Sequence, residues 1–183
     1  MKQDLKEEVA LPEKVNVTLN GTTLIVKSTK GESSRDFVHP QIKVSLENGK
    51  VIFFASKATA REKKVMYAFV AHFKNMIKGA EEPHVYKLKI CSGHFPMNVA
   101  VVGNEFVVKN FLGESVPRKV PINKKVEIKI SGTEIIVTSV DKEAAGQMAA
   151  RIETLCRLTN GRDIRIFQDG CYIVTKCGKG VVN

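Results

Sequence analysis

The chain has 183 residues, 43% of them hydrophobic, and 29 Lys and Arg outweigh 19 Asp and Glu for a net charge of +10. That length and apolar content favour an ordered protein, either one ordinary domain or two small ones. No window reaches the eighteen or so apolar residues of a membrane-spanning helix, and the opening MKQDLKEEVALPEK offers no apolar run for a signal peptide, so a cytoplasmic address without a membrane partner is expected.

The first half begins with two strand candidates, VNVTL and TLIVKS. From Gly31 the segment GESSRDFVHPQIKVSLENGKVIFFAS then alternates Ile42, Val44 and Leu46, turns at Asn48-Gly49, and runs apolar again to Ser56. Period-two apolar positions bury one side of a strand, and Asn-Gly is hairpin chemistry. In ATAREKKVMYAFVAHFKNMIKG, Met66, Phe69, Val70, Phe73, Met76 and Ile77 recur at three and four residues, opposite Arg61, Lys63, Lys64, Lys74 and Lys78. This is an amphipathic helix, expected to close at Gly79.

After Glu81-Glu82-Pro83, a plausible junction, the order repeats. YKLKIC, NVAVV and EFVVKN read as strands, and from Gly113 the segment GESVPRKVPINKKVEIKISGTEIIVTS repeats the earlier pattern, with Val126, Ile128 and Ile130, a Ser131-Gly132 turn, and a run to Ser139. The interval is about eighty residues throughout. A second helix follows in DKEAAGQMAARIETLCRLTNG, with Ala145, Met148, Ile152, Leu155 and Cys156 on its apolar stripe and Gly161 in the terminating position. The small residues Ala144, Gly146, Ala149 and Ala150 suggest close packing on a sheet. The expected fold class is therefore α+β, with two tandem duplicated domains, 1–83 and 84–183, each an antiparallel β-sheet with one α-helix on one face. The first carries 14 basic and 10 acidic residues, the second 15 and 9, so the C-terminal half is the more basic.

Charge of this sign attracts polyanions, and the final stretch RDIRIFQDGCYIVTKCGKG concentrates it. Zinc would need four Cys or His ligands in close pairs, whereas Cys171 and Cys177 are separated by five residues with no third ligand nearby, and Cys91 with His94 stands alone. Gly178-Lys179-Gly180 lacks the upstream glycine, the hydroxyl and the following helix of a nucleotide-binding loop. His39, His72, His84 and His94 are dispersed and no nucleophile elbow is present, so no catalytic residue, metal, cofactor or small-molecule substrate is assigned. The four cysteines read as reduced thiols. Contact with RNA remains open beside a plain reading of a solvated basic strand end. Arg162, Arg165, Lys176 and Lys179 can each neutralise a phosphate, Gly170, Gly178 and Gly180 let backbone approach closely, and Phe167 or Tyr172 could stack. Asp169, beside Gly170, is expected to accept backbone or arginine hydrogen bonds and fix the turn that presents the tail. A tandem scaffold that binds protein and an RNA-processing enzyme are the other classes weighed.

The run RIFQDGCY, Arg165 to Tyr172, followed by Lys176, resembles the C-terminal signature of the large-subunit ribosomal protein L-six family in its archaeal and eukaryotic branch, the eukaryotic L-nine equivalent. NMIKG at 75–79, HFPMNV at 94–99, NFLGE at 110–114 and GQMAA at 146–150 agree in the same order. The resemblance implies two domains of like topology and a non-enzymatic constituent of the large ribosomal subunit in translation. It also implies that the C-terminal domain anchors on large-subunit ribosomal RNA near the sarcin-ricin loop and the elongation-factor site. Neighbouring ribosomal proteins at the stalk base would meet the N-terminal domain. The RNA contacts it implies are Arg162, Arg165, Gly170, Tyr172, Lys176, Gly178, Lys179 and Gly180. Cys171 departs from the family's usual aliphatic residue, and the short termini look archaeal.

Overall fold

The computed structural model describes residues 3–12, 15–47, 49–158, 161, 163 and 165–181. The backbone falls into two compact units, Met1–Pro83 and His84–Asn183, each with its own core. Arg162 and Asn48, both named above, lie outside the described residues.

The first unit runs β1 (Gln3–Ala10), β2 (Asn16–Asn20), β3 (Thr23–Ser28), β4 (Gly31–Asp36), β5 (Ile42–Glu47), β6 (Lys50–Ala58) and α1 (Ala60–Glu81). The second repeats it with β7 (His84–Cys91), β8 (Asn98–Val102), β9 (Glu105–Lys109), β10 (Arg118–Pro121), β11 (Glu127–Ser131), β12 (Glu134–Ser139) and α2 (Lys142–Leu155). It then adds β13 (Gly170–Lys176) and β14 (Lys179–Gly180). The fold is α+β and duplicated, and within each copy the strands divide into two antiparallel sheets. The sheet β1-β6-β5 corresponds to β7-β12-β11, and β2-β3-β4 to β8-β9-β10. Hairpins join the sequence neighbours: Asn20 pairs with Thr23, and Ser131 with Glu134, across two-residue turns that place Gly21 and Gly132 at positive φ. What distinguishes the second copy is the edge of β7, where β13 pairs antiparallel and continues into β14.

Each helix is held by its apolar stripe. Met66, Val70, Phe73, Met76 and Ile77 are buried while Lys63, Lys64, Lys74 and Lys78 face water. Phe37, Phe53, Phe69 and Phe73 meet edge to face inside the first core. The start of α1 is a capping box, with the Glu62 carboxylate accepting the Thr59 N–H at 2.8 Å. Its end corrects the expectation for Gly79: the helix continues to Glu81, Gly79 is buried inside it, and Glu82 is extended. Pro83 is the cause, because its ring bars the α conformation from the residue before it. In α2, Ala144, Ala145, Met148, Ala149 and Ile152 are buried, whereas Ala150 is exposed. A Cβ on Gly146 would lie 3.1 Å from the Tyr86 Oη, the close helix-to-sheet approach that the small residues suggest.

α2 ends at Leu155 with Cys156 as its cap, five residues before Gly161, and Arg118 of β10 completes it from outside the helix. The guanidinium donates to Leu155 O at 2.7 Å and Arg157 O at 3.1 Å, grips Glu114 with two bonds of 2.8 and 2.6 Å, and stacks 4.2 Å above Phe111. A lysine ammonium cannot reproduce that fork and stack. Arg118→Lys should therefore lose about 1–3 kcal/mol of stability, measured by urea unfolding.

Candidate nucleic-acid interface

The expected RNA-contact residues that the structure describes, Arg165, Gly170, Tyr172, Lys176, Gly178, Lys179 and Gly180, lie on β13 and β14, in the turn between them, or just ahead of β13. Side-chain parity along β13 sorts them: Cys171 and Ile173 enter the core while Tyr172 and Val174 face outward. The β7–β13 ladder slips by one residue between Ile173 and Thr175, a bulge, and Glu153 of α2 accepts the Ile173 N–H at 3.0 Å. At the far end the chain reverses through Cys177 and Gly178, with φ of 47° and 78°. Positive φ at both central residues marks the tight hairpin form and explains a glycine at the second. Val181 N then donates to Val174 O at 2.8 Å, so the tail folds back on its own strand.

This hairpin exposes Lys176 and Lys179 on either side of the turn, and space around Gly178 and Gly180 is open on their Cβ sides. Arg165 is also exposed, but it is engaged with Asp163, donating from Nη2 at 2.7 Å and from Nε at 3.0 Å. An exposed pair of this kind contributes little, so a phosphate can displace it. Gly170 plays another part than close backbone approach. It is buried, and the Tyr172 ring lies 3.4 Å from where a Cβ would stand, so the missing side chain gives that ring room. Tyr172 Oη donates to Gln168 O at 3.0 Å, which fixes the ring with 39% of the residue exposed. Of the two aromatic candidates, Phe167 turns inward against His94, with ring centroids 4.9 Å apart, and Tyr172 is the one that faces out.

Asp169 organises the surface from below. It is 3% exposed and accepts from Gly93 N at 2.7 Å, His94 N at 3.2 Å and Phe95 N at 3.4 Å, with His94 Nδ1 at 3.3 Å. Burial works against its charge, but these backbone donors and the His94 ring outweigh it and hold the carboxyl below the ordinary aspartate value. The carboxylate thus ties the loop after β7 to the start of β13. Its partners are backbone amides and a histidine ring.

The cysteines are all free thiols. Cys156 and Cys171 are buried together; the hydrogen bond they share draws the Cys156 thiol down and, with burial, pushes Cys171 up. Among the described residues no group of three or more His, Cys, Asp or Glu side chains is placed to hold a metal ion.

Sequence reasoning missed the β7 side of the surface, Lys89 and Cys91 with the 92–94 loop. Lys89 is opposite Tyr172 in the ladder and Cys91 opposite Gly170. The strand YKLKIC carried the signal, since burial of Tyr86 and Leu88 obliges Lys87 and Lys89 to face out.

Fold and surface define a duplicated α+β protein in which, among the described residues, the second copy carries the added β13–β14 hairpin with Lys176 and Lys179. The sequence profile of the family described as Ribosomal protein L6 matches residues 11–82 and 95–170, one segment in each unit. The chain is 42% identical to the large ribosomal subunit protein uL6 of Nanoarchaeum equitans (strain Kin4-M), over 97% of this chain and 96% of that one. It is 41% identical to the large ribosomal subunit protein uL6 of Methanococcus vannielii, over 96% of each. This chain belongs to the ribosomal protein L6 family.

Proposed function

We propose that the protein is a structural, non-catalytic constituent of the large ribosomal subunit in the cytoplasm, anchored on large-subunit ribosomal RNA by its C-terminal unit. The observation that carries this reading is the exposed Lys176–Gly180 hairpin, a cationic element without a counterpart among the described residues of the N-terminal copy, in a chain of this family. Arg162, Arg165, Lys176 and Lys179 neutralise phosphates, Gly178 and Gly180 admit the backbone closely, and Tyr172, seated over Gly170, meets a base. The position this reading assigns is near the sarcin-ricin loop and the elongation-factor site at the stalk base. The N-terminal unit is left to meet neighbouring ribosomal proteins.

Binding by summed phosphate contacts has a salt signature. Log affinity falls with log salt at a slope of roughly −0.7 to −0.9 per phosphate neutralised, the range spanning single strands and B-form duplex. Filter binding of the full chain to large-subunit ribosomal RNA should give a steep slope. Arg165→Ala, Lys176→Ala and Lys179→Ala should each make it shallower by about 0.7–0.9. A flat salt response in the wild-type protein would count against the RNA anchor and favour a protein partner.

A further inference from the structure

Above the β7–β13 ladder lies a groove of about 750 Å³. It is lined by Lys89, Cys91, Tyr172 and Val174 of the two strands, by the 92–94 loop, and by Ile166, Gln168 and Asp169 ahead of β13. We infer that this groove receives a single unstacked nucleotide, its base lying on Tyr172 and its phosphate facing Lys89. The inference rests on the RNA-anchoring reading above and makes it specific.

Three features converge on a nucleotide. Tyr172, Val174 and Ile166 are 39%, 45% and 63% exposed, an apolar cluster beside the exposed Lys89, which suits a ligand that is flat and apolar in its middle and anionic at its edge. The Tyr172 ring is already immobilised by Gly170 beneath it and by the Gln168 carbonyl at its hydroxyl, so stacking on it costs little further ordering. Finally, Asp169, the carboxylate that also lines the groove, is 3% exposed with its oxygens occupied by the Gly93, His94 and Phe95 amides, whereas Lys89 is exposed and is the charge that an entering phosphate meets.

The volume suits one small organic molecule, since such sites span about 300–1,000 Å³. Extruding a paired base from a duplex costs a few kcal/mol of lost pairing and stacking, so a loop, bulge or end of folded RNA is the source that supplies the nucleotide at least cost. The Gln168 amide and Ser92 hydroxyl supply hydrogen-bonding groups that can meet the edge of the base.

The test uses the full-length protein and transcribed large-subunit ribosomal RNA, with affinity measured across a salt series and base reactivity mapped by chemical probing. Tyr172→Leu should weaken binding about 5- to 150-fold, the span seen when a stacking aromatic is removed. The salt slope should stay unchanged, because stacking releases no counterions. Tyr172→Phe should restore affinity, and one base protected by the wild-type protein should become reactive again with Tyr172→Leu. A thermal melt confirms that both variants fold. Wild-type affinity and an unaltered protection map for Tyr172→Leu overturn the inference while leaving the anchor intact. So does a loss that makes the salt slope shallower, which would mark a phosphate contact. A wild-type protein with no salt-dependent RNA binding removes the anchor and this site together.

Discussion

Asp169→Ala should destabilise the C-terminal unit by about 2–4 kcal/mol and loosen two segments at once, the loop after β7 and the start of β13. A hydrogen bond to a charged group is worth about 1.5–3 kcal/mol, and amides left without a buried acceptor add a desolvation cost. Asp169 serves three amides and approaches the His94 ring, but such contributions are not additive, which keeps the total below their sum. Urea unfolding at neutral pH measures the loss, and amide exchange at Gly93, His94 and Phe95 locates it. Unchanged protection at those amides would show that the carboxylate does not hold the loop.

The same carboxyl predicts the direction of acid sensitivity. Its pKa is lowered in the folded protein, so the unfolded chain binds the proton more readily. The stability it contributes is fully present above the unfolded value of about 3.9 and is lost as pH falls through the lower folded value. Asp169→Asn, which cannot titrate, should flatten that part of the acid limb and lose less stability than alanine at neutral pH, since one amide oxygen still accepts.

Local patterns in the sequence were enough to expose the duplication. Alternation at Ile42, Val44 and Leu46 and at Ile128 and Ile130 needs only neighbouring residues to be recognised, as does the 3.6 period of α1. Strand partners across the chain are another matter. A hairpin names its two strands but not the sheet they join, so the division of each copy into two sheets was hidden. β1 escaped notice because its sequence, QDLKEEVA, is half charged and mostly exposed, and only its pairing with β6 makes it a strand. Asp169 was legible as an acceptor of backbone hydrogen bonds, yet its partners lie 74 to 76 residues away, where no local rule reaches. Tyr172 and Phe167 looked equivalent until the start of β13 at Gly170 fixed which parity faces out.

Phe73→Ala should cost the N-terminal unit about 3–5 kcal/mol while leaving association with large-subunit ribosomal RNA in place. Phe73 of α1 is fully buried and meets Phe53 of β6 edge to face, and removing it opens a void that surrounding side chains fill only in part. Small domains hold roughly 5–15 kcal/mol in all, so this single change takes a large share of the unit's stability. The second core is drawn from residues of the second unit alone, and the hairpin with Lys176 and Lys179 is built on that core. Its fold, and with it the cationic surface, should therefore outlast the loss. Monitoring unfolding by resolved amide signals from each unit, alongside filter binding at one fixed salt concentration, separates the two effects. Loss of RNA affinity in step with melting of the N-terminal unit would mean that the anchor is not confined to the C-terminal half.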